Sequence, residues 1–463
     1  MKDKELFAGI DIGSSSIKYS VSSSDSYEVV ASGRIKYPND TFIQNNINIS
    51  SIEKLFFKII RNLALSGVRY FGIACMAPIM ILVDSNLTPL SATPYNSLLG
   101  SEMLKDLDAE EIRGKTFNNP NVQMFHQKIM WFKSNKPRIL RNARWILDLN
   151  GYIFHKFSGV SNIPFQDINT ALEWGLLDLS KKTWDFESAE LLGIDHMLPD
   201  IVPPEFTISN NGKNLSIGTV DTMVSSLGSI GMNKNKMFLS NGSTLCAGFI
   251  SDKPVETRYM YNDIYFNGKY LVNGCNSQYS TIIDWAERSF RRRINVNEID
   301  MTPRNVIFLP YLEGERCPLF DPNIRAAIID IDKSSTNDDI IASAVHSLCY
   351  LSIDMIEHLK SLSERTFESV IAGGGLSKRN LASVISSLTG LNYEITGVEP
   401  TTIGAILISM KGNGVLSDYP LSTDKYGLKI EGKVYPNSNL KIHDRNYERF
   451  KKFREVLQTF YSA

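Results

Sequence analysis

Short runs of apolar residues, closed by turn residues and separated by stretches of helical period, recur along most of this 463-residue chain. Runs at 6–12, 17–22, 70–75 and 79–84 read as strands, and the pattern at 51–66 places a helix among them. The stretch from Phe125 to Gly159 reads as mainly helical around one strand at 145–149, with Pro137 breaking its first helix. At Met237 the strand pattern starts again, with runs at 237–241, 245–250, 259–266 and 269–273 and then a helix carrying Trp285 and Phe290. A long helix at 340–362 follows, then a strand at 369–372 running into Gly373, Gly374 and Gly375, a helix at 378–388, and one more strand and helix. Such alternation predicts an α/β fold. No low-complexity segment or long linker interrupts it, so two lobes joined by short hinges are expected, over 1–230 and 231–463.

The two halves open alike. Phe7 leads through Asp11, Gly13, Ser14, Ser15 and Ser16 to Val21, and Met237 leads through Asn241, Gly242, Ser243 and Thr244 to Ile250. In each, an apolar strand delivers a glycine that can adopt positive φ, and the amides and hydroxyls after it are able to point at anionic oxygens. Strand, turn and strand of this kind suit a phosphate in a cleft.

Composition narrows the partners. A chain of this length exceeds the roughly 250 to 300 residues at which one core stops growing, which again implies two domains. A formal net charge of −1 offers no general attraction for nucleic acid or an acidic membrane, so neither is an expected partner and any anion site must be local. Cys75, Cys246, Cys275, Cys317 and Cys349 lack paired spacing, which argues against zinc and against a disulfide framework and predicts buried, reduced thiols. The chain enters its first strand directly after Lys2, Asp3, Lys4 and Glu5, without a signal-peptide pattern, and the apolar run from Met76 to Val83 is too short to span a bilayer. A cytoplasmic protein is expected.

Three positions could carry chemistry. Asp11 lies in an apolar strand, a costly place for a charge unless a metal or donor compensates it, although an Asp there also caps its own turn. Asp221 opens a short helix, where a plain N-cap is the commonest reading and a proton acceptor for an attacking hydroxyl is the other. The triple glycine at 373–375 allows a nucleotide to lie against bare backbone, or is simply a tight turn; its spacing is not that of a Walker loop. Arg291, Arg292 and Arg293 read as a solvated helix end.

The longest motif is Phe308-Leu309-Pro310-Tyr311-Leu312-Glu313-Gly314-Glu315-Arg316-Cys317-Pro318, continued by Asp321-Pro322-Asn323 and Arg325. Other segments stand in order around it: Gly9-Ile10-Asp11-Ile12-Gly13, Lys128 and Trp131, Asp167 ahead of Leu177 and Asp178, Trp184, and Asp221. Gly242-Ser243-Thr244, Trp285 after Gly274, Gly373-Gly374-Gly375 with Asn380, and Gly404-Ala405 complete the series. Together they resemble the FGGY carbohydrate kinase family, in its xylulokinase and gluconokinase styles, over nearly the whole chain.

The resemblance implies two actin-like (ribonuclease H-like) lobes flanking a central cleft, with sugar held mainly by the first lobe and ATP mainly by the second. It implies Asp221 as the catalytic base and Asp11 as the residue that organises Mg2+ through water. It puts Gly13, Ser14 and Ser15 with Gly242, Ser243 and Thr244 at the phosphates, and Gly373, Gly374 and Gly375 with Asn380 at the α phosphate and adenosine. Lys18 points at phosphates or lies at the surface. An Asp near its ordinary pKa of about 3.9 is already ionised at neutral pH, so Asp221 needs placement more than a shifted pKa.

The acceptor side departs from the family. Where many xylulokinases carry Gly-Gln-Met-His-Gly, this chain has Cys75-Met76-Ala77-Pro78-Ile79, and the aromatic-x-Asp-x-Arg that follows falls on Tyr95-Asn96-Ser97-Leu98-Leu99. An imidazole, a carboxylate and a guanidinium are therefore lost from the expected sugar pocket, and no replacement for the Arg is evident in the sequence. Met76, Ala77, Tyr95, Asn96, Gln166 and Asp167 remain as expected acceptor contacts. The resulting expectation is an ATP-dependent kinase that phosphorylates a hydroxyl of a small sugar, D-xylulose or a related ketose, or gluconate; a homodimer is compatible with it. The alternatives are a non-catalytic sugar or nucleotide sensor with the same fold and an actin-like filament subunit.

Overall fold

The computed structural model describes residues 5–43, 45–159 and 163–462. Its frame is a pair of twisted sheets with the same local plan. In the first, the strand Leu6–Ile12 pairs antiparallel with Ser16–Ser23 and parallel with Tyr70–Cys75, and Lys213–Val220 continues the parallel set. In the second, Lys236–Asn241 pairs antiparallel with Leu245–Ser251 and parallel with Ser369–Gly373, which in turn takes Asn392–Thr396. Leu6–Ile12 reads as an almost unbroken apolar run because it is buried on both faces, and Lys236–Asn241 does so over Met237–Leu239.

Two helices fill the space between the sheets. Asp221–Ile230 follows the last parallel strand of the first sheet, and Pro400–Gly412 follows the strand Asn392–Thr396 of the second. Their side chains form one cluster with Phe7 and Ala74 of the first sheet and Phe238 and Ile371 of the second. The helices cross almost backbone to backbone: a Cβ on Gly228 would stand 1.8 Å from the Pro400 carbonyl oxygen, and one on Gly404 2.0 Å from that of Val224. Only glycine permits that approach.

Between Cys75 and Lys213 the first lobe is elaborated by the helices His126–Asn135, Pro137–Asn142, Leu149–Ser158, Ile168–Glu173 and Phe186–Leu192. Leu149–Ser158 packs into the core of the first sheet, and the others gather around Trp174, which stacks on Phe125 at 4.7 Å and on Trp184 at 5.1 Å. The helix break at Pro137 falls where its missing N–H and fixed φ predict. In the second lobe Asn337–Ser361 is the central core helix, opened by a capping box between Thr336 and Asp339. It is long and apolar enough to cross a membrane, yet nearly all of its apolar stretch is buried inside the protein. The Arg291–Arg293 run ends the helix Ser280–Phe290 in solvent, with Arg292 on Asp338 and Arg293 on Glu287.

Two expectations need correction. Cys246 and Cys275 are disulfide-bonded rather than separate thiols; their strands place them directly opposite each other, with Cα atoms 4.2 Å apart. The hydrogen bond from Asn276 N to Leu245 O makes the next pair the narrow, non-hydrogen-bonded one, where side chains come closest. Cys75, Cys317 and Cys349 are free and buried, as expected. Second, neither Gly13 nor Gly242 takes a positive φ. Each closes its turn through its own N–H, Gly13 to Ser16 O at 3.2 Å and Gly242 to Thr244 O at 3.0 Å, and a Cβ on either would meet no atom nearer than 3.6 Å. These glycines bare the backbone toward the cleft. The left-handed glycine is Gly374, at φ +100°, where a Cβ would stand 2.5 Å from Asn241 O.

Candidate functional site

A cavity of about 700 Å³ opens between the two sheets, lined by both glycine turns. At one end lie Asp11, Gly13, Ser14, Ser15 and Lys18, facing Gly242, Ser243 and Thr244, with Gly374, Gly375 and Glu399 beside them. At the other end lie Met76, Ala77, Tyr95, Gln123, Glu173, Tyr261, Asn273 and Arg316. Asp221 and Thr222 stand between the two groups, next to Cys246 and Cys275.

Asp221 occupies the first turn of its helix without capping it. The N-cap position is Val220, which has no side-chain bond to give, and the Asp221 carboxylate takes a backbone hydrogen bond from the neighbouring Thr222 and a long contact of 3.4 Å from Thr222 Oγ1. The cap reading is thereby removed and the carboxylate is left facing the cavity. Burial raises its pKa to about 6, against the hydrogen bond from the Thr222 backbone that lowers it. A pKa of about 6 still leaves the carboxylate mostly ionised at neutral pH, and the rise follows from a helix start that lies between two lobes rather than at a solvated surface.

Asp11 does not cap its own turn either. The antiparallel register sets it opposite Lys18, whose Nζ lies 3.5 Å from the Asp11 carboxylate and 2.7 Å from Glu399. Burial pushes Asp11 up to about 7 even with Lys18 pulling the other way. Burial works against the charge on Lys18, but Asp11 and Glu399 outweigh it and hold its pKa above the ordinary lysine value. Lys18 is thus a cleft residue, bonded to the far lobe through Glu399. Arg34, which sequence reasoning passed over, donates to Ser16 Oγ at 2.9 Å and Ser15 Oγ at 3.3 Å and braces the first turn. No group of three or more His, Cys, Asp or Glu among the described residues forms a metal cage, so a cation here would rest on Asp11, water and phosphate oxygens.

The end of the cavity bearing Tyr95 and Arg316 is held from behind by buried ionisable side chains. Lys128, fully buried, donates to Pro94 O at 3.2 Å and Gln123 O at 3.1 Å, and so fixes the two loops that present Tyr95 and Gln123. Burial lowers its pKa to about 7. Asp148 accepts from Ile79 N at 2.9 Å and anchors the segment bearing Met76 and Ala77. Glu315 accepts from Ser277 N at 2.6 Å and Arg316 N at 2.8 Å, and turns the Arg316 side chain into the cavity.

Several expected contacts lie elsewhere. Asp167 is fully buried: its Oδ1 caps the helix Ile168–Glu173 through Asn169 N and Thr170 N, both 3.1 Å, and takes Thr219 Oγ1 at 2.6 Å. Its Oδ2 accepts from Asn150 at 2.5 Å and Gln166 at 3.2 Å, so Gln166 is committed to the same buried network. Asn96 is exposed and outside the cavity lining, because the turn at 94–97 presents Tyr95 inward instead. Asn380 donates to Val296 O at 2.7 Å and does not line the cavity. Gly373 also lies outside the lining; it is the last residue of its strand, where a Cβ would press on Pro400. Glu399, Glu173, Tyr261, Asn273 and Arg316 are among the lining residues that motif reasoning did not assign, although Arg316 stood inside the longest motif.

Comparison with known proteins adds a frame to this geometry. Residues 6–228 match the N-terminal domain, and residues 237–412 the C-terminal domain, of the FGGY family of carbohydrate kinases. The chain is 20% identical to a xylulose kinase of Lactococcus lactis subsp. lactis, over 96% of this chain and 95% of that one. It is 22% identical to a gluconokinase of Bacillus subtilis, over 90% of each. The crystal structure of a gluconate kinase from Lactobacillus acidophilus superposes with a TM-score of 0.88 at 19% identity, covering 99% of both chains. A ligand-bound xylulose kinase from the same organism gives the same TM-score, identity and coverage.

Proposed function

The chain belongs to the FGGY family of carbohydrate kinases, and on that premise we propose that it transfers the γ-phosphoryl group of Mg-ATP to a hydroxyl of a small ketose or sugar acid, with Asp221 as general base. The observation that carries this reading is the Asp221 carboxylate, bonded only to the neighbouring Thr222 among the described residues and standing between a phosphate-type turn from each lobe. The acceptor hydroxyl attacks the γ phosphorus, its proton passes to Asp221, and the bond from that phosphorus to the β–γ bridging oxygen breaks to leave ADP.

The turns at Gly13–Ser15 and Gly242–Thr244 supply amides and hydroxyls to the β and γ phosphates, and the bare backbone at Gly374 and Gly375 lies along the α phosphate and adenosine. Asp11, with Lys18 on its flank, would hold Mg2+ through water. When bound, the ion neutralises charge on the β and γ oxygens. In this scheme the first lobe carries the acceptor and the base and the second carries ATP, and approach of the two sheets excludes water that would hydrolyse ATP.

Release of ADP from Mg-ATP, measured over a panel of ketoses, polyols and sugar acids, tests the reading. At least one member should stimulate release, and Asp221→Asn should lower it about 10³-fold while nucleotide affinity stays within twofold. A panel without any response removes the kinase activity and favours a sensor; full activity in the Asn variant removes the base.

A further inference from the structure

The five cysteines fall into two groups. Cys75, Cys317 and Cys349 are at most 1% exposed and lie outside the cleft lining, and burial holds each thiol well above its ordinary pKa, so they are poor nucleophiles. Cys246 and Cys275, joined as a disulfide, both line the cavity. Cys246 stands two residues after Thr244 of the phosphate-type turn, and Cys275 ends the strand Tyr270–Cys275 just ahead of Asn276 and Ser277, which hold Arg316. Thr222, the residue after Asp221, has its Oγ1 4.0 Å from each sulfur, and Thr244 Oγ1 lies 3.9 Å from the Cys246 sulfur. Cys275 is the more open of the two, half-buried where Cys246 is buried. A small molecule in the cleft therefore meets this bond, beside the carboxylate of Asp221, and none of the other thiols.

From this placement we infer that Cys246–Cys275 is a thiol–disulfide exchange site reached through the cleft, and that its partner is a low-molecular-weight thiol. The thiolate of that molecule attacks Cys275 Sγ, the bond between the two cysteines breaks, and Cys246 leaves as a thiolate that takes a proton from solvent. Cys246 is the better leaving group because the hydroxyls of Thr222 and Thr244 are both placed to donate to it, whereas Cys275 has only that of Thr222 among the described residues. A second molecule of the thiol then attacks the small-molecule sulfur of the mixed disulfide, so that two cysteine thiols and one symmetric small disulfide are the products; the reverse sequence re-forms the bond. The strand register keeps the cysteines directly opposite, with Cα atoms 4.2 Å apart, so Cys246 has a mixed disulfide on Cys275 within reach and expels the small thiol by attacking Cys275 Sγ. A small thiol left on either sulfur would stand against Asp221 and the 242–244 turn, which on the kinase reading above is the space of the γ phosphate. The pair is self-clearing: each cysteine removes from the other an adduct that would block the cleft. The exchange chemistry stands apart from the kinase reading, and only its effect on turnover rests on it.

Glutathione disulfide is the probe, with adducts located by peptide mass mapping after alkylation of the remaining thiols. Wild-type protein, reduced and then exposed to the probe, should regain the Cys246–Cys275 bond and retain no glutathione. Cys246→Ser should instead retain glutathione on Cys275 and lose at least about tenfold in ADP release with a responding acceptor, restored by dithiothreitol. The double variant Cys246→Ser, Cys275→Ser should neither take up glutathione nor respond to the probe. Mg-ATP at about ten times its Kd should slow uptake by Cys246→Ser about tenfold, since only the empty cleft reacts. Glutathione retained by the wild type, uptake at Cys75, Cys317 or Cys349 in place of Cys275, or no uptake by Cys246→Ser overturns the exchange site. Uptake at an undiminished rate with ATP bound overturns the route through the cleft, and an adduct without loss of turnover overturns the block. If the variants do not fold, alkylation of the reduced wild type by iodoacetamide decides: Cys246 and Cys275 should react at least about tenfold faster than the other three thiols, and equal rates overturn the site. If no acceptor stimulates ADP release, the kinase reading fails and the mass mapping alone decides the exchange site.

Discussion

At the end of the cleft bounded by Asp11 and Gly242 the walls are short turns, and most of what they offer a ligand is backbone amide and hydroxyl. At the end bounded by Tyr95 and Arg316 the walls are mostly side chains from segments scattered over about half of the chain, several of them held from behind by Lys128, Asp148 and Glu315. The first kind of wall is indifferent to most substitutions, because a backbone amide survives them. The second kind changes with any one residue. A kinase built this way can exchange its acceptor without disturbing its phosphoryl-transfer machinery.

Substitutions should separate the two ends. The largest effect after loss of Asp221 is expected at Gly374, whose φ of +100° and 2.5 Å clearance to Asn241 O admit no side chain. Gly374→Val should raise the KM for ATP by about 10- to 100-fold, in keeping with a strain of about 1–3 kcal/mol, and by the same factor whichever acceptor is used. A loss that depended on the acceptor would break the comparison.

The pH profile comes next. As the proposed base, Asp221 would act only when ionised, and burial places its pKa at about 6, so kcat/KM should fall about tenfold per pH unit below that value and level off above it. An acid limb near pH 4 would mean that the carboxylate is solvated and that the lobes stand further apart.

Asp167 supplies a third test. Asn at this position turns a donor toward the Asn150 and Gln166 amides, which should cost about 1–3 kcal/mol in thermal or denaturant unfolding. Acceptor KM should stay within twofold; a large KM change would return Asp167 to the pocket. The smallest effect belongs to Asn96→Ala, expected to leave kcat/KM unchanged within twofold for every acceptor, since its side chain is exposed outside the cavity.

The same contrast explains what could be read from the chain. Both founding strands, the restart near Met237, the break at Pro137 and the Gly-Ser turns are encoded within a few residues, and local pattern is enough to find them. Asp167 and Asn380 were expected at ligands, but each has a partner remote in sequence, Thr219 and Val296, and no spacing rule announces such pairings. Cys246 and Cys275 are a register effect: shifting one strand by a residue would separate them, and sequence does not declare register where both faces are buried. Arg316 was visible as a letter in a motif, but its direction is decided by Glu315 and the loop at 276–277, which meet only in the fold.

The bare crossing at Gly228 and Gly404 makes the proposed base the tip of a lever. Asp221 lies seven residues from Gly228, or about 10 Å along the helix at 1.5 Å per residue. A tilt of about 6° at that contact carries the carboxylate about 1 Å, and a displacement of that size costs about 10²-fold in rate. The side chains around the two glycines pack the helices into one cluster with both sheets, so their angle follows how the sheets on either side are seated. Catalytic alignment in this molecule is therefore a property of the whole frame, and a substitution far from the cleft that reseats one sheet will be felt first as a change in kcat.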